Sequence, residues 1–330
     1  MSDPILSVRS LTTVLHLAGG KLPVVRGVDF DISEGETVAL VGESGSGKTL
    51  TMLSVMGLHP QPPAEIVEGE VRLAGEDLLR ATERRRRQVR GADLAMVYQD
   101  PMTSLNPLMR VGDQIEEVLT AHGRSNAEAE ARTLEVLSEV GIPQPDRARR
   151  SYPHEFSGGM RQRVVIAMAL ALRPKVLIAD EPTTALDVTI QQQIISLVSD
   201  LQDTMGMAVV WITHDLGVVA RVAERILVMY GGHIVETGTT SEVFRRPEHP
   251  YTAGLLAAVP QARGDLREEL YQIPGAPPDP SRYPSGCPFH PRCPNSIDTC
   301  IDQMPPMTVR DGGTGTHAAA CWVPPEDWVA

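Results

Sequence analysis

Short, almost wholly apolar runs recur along the chain at residues 37–41, 94–97, 176–179, 208–213 and 226–229. Their length and lack of polar alternation predict strands buried on both faces, since a strand covered on one face alternates with period two. Longer stretches of helical spacing separate them, which predicts an α/β domain on a largely parallel sheet. Ahead of the first buried run, residues 5–8 and 24–32 look extended and are interrupted by Gly19-Gly20 and Gly35, a pattern of strands joined by turns. Between Pro101 and Gly158 strand-like runs stop. Residues 111–122 and 127–140 have helical spacing there, with Ser125-Asn126 as N-cap of the second, so this region reads as a helical insertion. After about residue 245 the composition shifts: 12 of the 27 prolines fall at 271–330, too many for regular helices or central strands, and the tail reads as a loop-rich appendage.

Composition adds bounds. A chain of 330 residues suggests about two domains, and 42% hydrophobic with 22% charged residues excludes a disordered, collagenous or coiled-coil chain. The net charge of −12 argues against nucleic acid as a partner, because phosphate backbones are met by clustered Lys and Arg. Arg84 to Arg87 form the single charge block, read as a solvated helix face balanced by nearby acids. The N-terminal residues lack the basic start and apolar run of a signal peptide, so a reducing compartment is expected. No apolar run approaches the ~18–20 residues that span a bilayer, and any membrane role is expected to run through a partner. All four cysteines, Cys287, Cys293, Cys300 and Cys321, lie in the last 44 residues.

The strongest chemical signal is Gly42-Glu43-Ser44-Gly45-Ser46-Gly47-Lys48-Thr49, which fits G-x-x-x-x-G-K-[ST] after the apolar run ending at Val41 and before a helical run from Leu50. Glycines let the loop curl so that its N–H groups point at phosphates, and the helix N-terminus adds partial positive charge. Lys48 would reach the β- and γ-phosphates and Thr49 would give a hydroxyl to Mg²⁺. Residues 176–179 then end in Asp180 and Glu181; a buried strand ending in adjacent acids needs a cation or proton nearby. Asp180 suits the Mg²⁺ shell, and Glu181 suits a base that orients or polarises the attacking water. Ser157-Gly158-Gly159 opens another helical run, a second anion-binding N-terminus. One nucleotide does not readily occupy both, so Ser157 and Gly159 are read as capping the γ-phosphate of a nucleotide on another protomer, in a head-to-tail pair. His214, after the run 208–213, is read as a γ-phosphate contact on its own protomer.

These residues resemble the nucleotide-binding subunits of ABC transporters. The motifs are the Walker A loop 42–49, the Q-loop Gln99, the signature 157–162 including Gln162, the Walker B run 176–181, the D-loop Ala185-Leu186-Asp187 and the switch His214. The resemblance implies that Gln99 senses Mg²⁺ and the transmembrane partner and that Asp187 couples two sites across a dimer. It also implies a P-loop cassette at 1–255, with a RecA-like core, an antiparallel β subdomain and a helical subdomain at about 100–162. A loop-rich, cysteine-bearing extension at 256–330 follows. Residues 96–107, 152–160, 249–252 and 286–294 are similar to the oligopeptide/dipeptide permease ATP-binding proteins, most of all to their D-type subunits. That likeness implies ATP hydrolysis driving import of di- or oligopeptides at the cytoplasmic face of the bacterial inner membrane. The partners implied are an F-type ATP-binding subunit or a second copy, two membrane permeases and, indirectly, a binding protein. Related permeases carry nickel, glutathione or oligosaccharides. A soluble ABC ATPase acting on ribosomes or DNA is the other reading, disfavoured by one cassette, no heptads and acidic charge; a P-loop kinase leaves residues 157–159 unexplained. The family commonly stacks adenine on an aromatic residue just before the strand at Val24-Val25; this chain departs from that pattern with Leu15-His16-Leu17, which leaves open His16 as the adenine contact or a base held by apolar contacts alone.

The cysteine spacing, Cys287-x5-Cys293-x6-Cys300-x20-Cys321, suits neither the C-x2-C pairs of structural zinc nor the common ferredoxin patterns. Disulfides are disfavoured in a reducing compartment. Some peptide-permease ATPases carry a [4Fe–4S] cluster in this extension, so the resemblance implies such a cluster here, as a folding nucleus; zinc and free thiols stay open.

Overall fold

The computed structural model of the chain describes residues 3–184, 186–259, 271–309 and 316–328. Its strands are β1 (Leu6–Leu17), β2 (Gly20–Ile32), β3 (Thr37–Val41), β4 (Ala64–Leu73), β5 (Glu76–Asp77), β6 (Leu94–Val97), β7 (Val176–Asp180), β8 (Ala208–Thr213), β9 (Arg225–Tyr230), β10 (His233–Thr239), β11 (Thr308–Val309) and β12 (Ala318–Ala319). All five apolar runs are strands, and every residue of β3, β6, β7 and β8 is buried, as expected of strands covered on both faces. The longer strands β4 and β10 were not read from the sequence because polar residues and glycines interrupt them, and the two-residue strands β5, β11 and β12 are too short to leave a pattern.

By its contacts the chain divides into two compact units. One comprises Met1–Leu6, Ile32–Glu36 and Leu73–Trp211. In it β6 and β7 pair in parallel, Leu94 opposite Val176 and Val97 opposite Ala179. The predicted helical insertion is present as the helices Val111–Ala121 and Asn126–Glu139, which pack on each other and on the helix Gly158–Leu170. Ile115, Leu119, Val136 and Leu137 supply the buried faces, each side chain contributing about 2 kcal/mol of burial. Ser125 caps the second helix reciprocally: its N–H donates to Glu128 Oε2 at 2.8 Å, and its Oγ accepts from the Glu128 N–H at 3.4 Å. The arginine block is balanced as expected, Arg85 on Glu76 at 2.7 Å and Arg86, Arg87 and Arg90 on Glu83.

The other unit comprises Ser7–Asp31, Thr37–Arg72 and Ile212–Ala330. In it β1 lies between β2 and β4. β3 pairs in parallel with β9, and β9 antiparallel with β10, whose ladder is bulged between Ile234 and Glu236. The proline-rich tail departs from a purely irregular segment: β12 extends this sheet beside β10, with Thr237 opposite Ala318, and β11 pairs with β12. Two-residue strands are what proline-interrupted chain can supply, because each proline removes a ladder donor. The tail also shares the cassette's core. Tyr251, Cys287, Phe289 and Cys300 pack in one buried cluster with Val41, Ile226, Val228 and Tyr230, and the rings of Tyr230 and Phe289 meet edge to face at 5.2 Å.

Candidate functional site

In the second unit the loop between β3 and the helix Lys48–Val55 has the curl its glycines permit. Gly42, at φ 153°, is compelled by packing, since a Cβ there would lie 2.2 Å from the carbonyl oxygen of Met229 on β9. Gly45, at φ 79°, faces open space, with nothing within 4 Å of where a Cβ would stand. Lys48 is buried, and its ammonium donates to the carbonyl oxygens of Gly42 at 2.7 Å and Glu43 at 2.9 Å. The buried Ser46 hydroxyl has no hydrogen-bond partner among the described residues. An unsatisfied buried hydroxyl, an ammonium and the positive end of a helix in one loop fit an incoming phosphate. Ser44, Gly45 and Thr49 are exposed and Leu50 half-buried. His214 follows β8 and is exposed. His16, on β1, bonds Glu65 through Nε2 at 2.5 Å, and that bond is the first cause holding the Glu65 carboxyl below its ordinary range.

In the first unit β7 delivers Asp180 to a buried position and the chain turns sharply at Glu181, which sits at φ 45°. A non-glycine residue in that region is strained, as functional turns often are. Gln99 Nε2 donates to Glu181 Oε2 at 2.9 Å, and Thr184 Oγ1 donates to the same oxygen at 2.9 Å. Gln99 and Glu181, read separately from the sequence, are thus brought together, and Thr184 is a partner that sequence reasoning missed. Ser157 caps the helix Gly158–Leu170 by accepting from the Met160 N–H at 3.3 Å. Gly159 is required by packing, because a Cβ would stand 2.7 Å from Ile190 Cγ2. Gln162 is buried with its Nε2 unpartnered among the described residues. Asp187 Oδ1 accepts from the N–H groups of Thr189 and Ile190, each at 3.0 Å, as N-cap of the helix Val188–Met205. Ala185 of the D-loop lies outside the described residues.

The cysteines share a neighbourhood. Burial first, then the charge of Cys300 and Cys321, pushes the Cys287 thiol up to about 11; burial first, then the other three thiols, pushes Cys293 up to about 12. Yet no group of three or more His, Cys, Asp or Glu among the described residues is disposed to hold a metal ion. Cys287 and Cys300 are instead packed as small apolar residues, and Cys321 Sγ donates to the Val323 carbonyl at 3.2 Å. The expected [4Fe–4S] cluster therefore finds no support in this geometry.

Two residues in the segments 249–252 and 286–294, which the sequence marked only by resemblance and without a role, reach the phosphate loop. Arg292 forms a two-pronged ion pair with Glu43 of the phosphate loop, at 2.7 and 3.1 Å. The Tyr251 hydroxyl accepts from the Glu43 N–H at 2.8 Å.

Residues 25–184 match the family described as ABC transporter, and residues 235–300 match the oligopeptide/dipeptide transporter C-terminal region. The chain is 51% identical over 321 residues to the oligopeptide transport ATP-binding protein OppD of Bacillus subtilis, covering 97% of this chain and 88% of that protein. It is 49% identical over 323 residues to the dipeptide transport ATP-binding protein DppD of the same organism, covering 97% of this chain and 95% of that protein. Among solved structures, the ADP- and Pi-bound dimer of the ATP-binding cassette MJ0796 aligns with a TM-score of 0.63 and 28% identity, over 71% of this chain and 98% of that one.

Proposed function

This chain belongs to the ABC transporter ATP-binding subunits of the oligopeptide/dipeptide type, and from that membership we propose how its residues work. It is an ATP-hydrolysing subunit of a peptide importer. The observation that carries the assignment of its site is the phosphate loop, with Lys48 turned into it and the Ser46 hydroxyl unsatisfied. The loop N–H groups, Ser46 and Lys48 bind the phosphates of ATP. Thr49, Gln99 and Asp180 are the residues that would hold Mg²⁺, which when bound screens the phosphate charge. Glu181, fixed through Gln99 and Thr184, orients and polarises the attacking water, and His214 contacts the γ-phosphate. Ser157, Gly158, Gly159 and Gln162 serve the nucleotide of a head-to-tail partner, and Asp187 couples the two sites. His16 is assigned to the adenine, although its bond to Glu65 must be given up or shared for stacking.

ABC ATPases of this family dimerise and work with membrane permeases. Here the partner subunit is of F-type or a second copy, at the cytoplasmic face of the bacterial inner membrane; no helix among the described residues is long and apolar enough to cross a membrane. The division into a cassette at 1–255, with a helical subdomain at about 100–162, and an extension at 256–330 is one of sequence; the shared core crosses it. A [4Fe–4S] cluster on Cys287, Cys293, Cys300 and Cys321 has the common thiol neighbourhood in its favour and the lack of a disposed ligand group against it. Anaerobically purified protein without absorbance near 400 nm overturns it.

The site assignment is tested with purified full-length chain. Wild type is expected to bind and hydrolyse MgATP, and Lys48→Ala to lose nucleotide binding. Undiminished binding in Lys48→Ala overturns the assignment.

A further inference from the structure

Glu43 is the first variable position of the phosphate loop, and it is held from three sides. Its carbonyl accepts from Lys48 Nζ at 2.9 Å, its N–H donates to the Tyr251 hydroxyl at 2.8 Å, and its carboxylate takes both prongs of Arg292 at 2.7 and 3.1 Å. Arg292 is itself fixed. Its side chain is 5% exposed, and it donates to the carbonyls of Pro274 at 2.9 Å and Ile273 at 3.3 Å and to the Tyr230 hydroxyl at 3.2 Å. Pro277, Pro278 and Tyr283 of the tail line, together with Glu43 to Ser46, a cavity of about 30 Å³.

We propose that Arg292 of the C-terminal extension is a positioning residue for nucleotide binding, acting through Glu43 to keep the phosphate loop curled. A phosphate that draws the Lys48 ammonium away removes one of the three restraints on Glu43, and Arg292 and Tyr251 then hold the loop. A two-pronged guanidinium–carboxylate pair suits this because it fixes direction as well as distance, and it is largely desolvated, so removing one partner leaves the other charge uncompensated. The inference rests on the phosphate loop being the nucleotide site.

The test is a double-mutant cycle on the full chain, read as the affinity for a fluorescent ATP analogue and as KM and kcat for MgATP. Arg292→Ala and Glu43→Ala are each expected to raise KM and the dissociation constant about 10-fold, with kcat within about 2-fold. The double variant is expected to be no worse than either single. Arg292→Lys, which keeps the charge and loses the fork, is expected to recover part of the affinity. Should Arg292→Ala not fold, Arg292→Lys and Tyr251→Phe are read instead, each expected to raise KM measurably at unchanged melting temperature. Unchanged affinity in these variants, or additive losses in the cycle, overturns the inference while the nucleotide site stands. Wild type that binds no nucleotide overturns the site itself.

Discussion

At the scale of single residues, Glu181 combines two features that reinforce its assignment. Its backbone is in the left-handed region at φ 45°, and its carboxylate is bonded by Gln99 and Thr184. Strain of this kind persists only where surroundings over-determine it. Glu181→Gln keeps the size of the side chain and removes the carboxylate, so hydrolysis is expected to fall at least ~100-fold while ATP binding survives and an ATP-dependent dimer persists in gel filtration; undiminished turnover sinks the base assignment. The strain has its own readout. Glu181→Gly is expected to be about 1 kcal/mol more stable than Glu181→Ala in denaturant unfolding, since both lose the carboxylate and only glycine escapes the left-handed penalty. Equal stabilities would remove strain from the account. The type and order of these residues were legible in the sequence; the bond from Gln99 was not, because 82 positions separate it from Glu181.

At the scale of elements, the signature segment has a structural duty besides the one its motif suggests. The helices Gly158–Leu170 and Val188–Met205 approach so closely that Gly159 has no room for a methyl group, Ile190 Cγ2 standing 2.7 Å from its position. Gly159→Ala is therefore expected to destabilise the chain by ~1–3 kcal/mol even without nucleotide, and Ile190→Ala on that background is expected to restore part of the loss. A double variant no more stable than Gly159→Ala would show that the contact is not the cause. Sequence reasoning read this glycine as an anion-site residue alone, since a motif says which backbone must be bare and not which neighbour bares it. The two long helices of the insertion were legible, by contrast, because spacing and the Ser125–Glu128 cap are local signals, whereas the short helices Pro101–Ser104 and Pro145–Ala148 carry too few residues to show a period.

At the scale of the whole molecule, the tail is pinned to the cassette by a buried charge cluster. His317, 4% exposed, bonds Glu236 Oε1 through Nε2 at 2.8 Å, and the same carboxylate accepts from the N–H groups of Glu248 and His249. Burial alone would lower the His317 pKa, but the bond and charge of Glu236, with Glu248 and Glu242, outweigh it and raise the value above 6.5. A raised value means that the protonated histidine stabilises the fold fully below its unfolded pKa, and that this contribution is lost as pH rises through the folded one. His249 and His233, whose burial lowers them to about 3 and about 4, act in the opposite sense, so the comparison must be a difference. The stability gap between wild type and His317→Gln is expected to be largest near pH ~6 and to narrow above it; a gap independent of pH contradicts the charged cluster. The sequence by itself determined the five buried strands, the helical insertion, the phosphate loop and the family, because each is written in residues that are neighbours or recur at a fixed spacing. Only the tertiary structure decided that a proline-rich tail joins the cassette's sheet and core, and that Arg292 grips Glu43. Those contacts span up to 249 positions and carry no periodicity, so nothing but the folded chain brings their partners together.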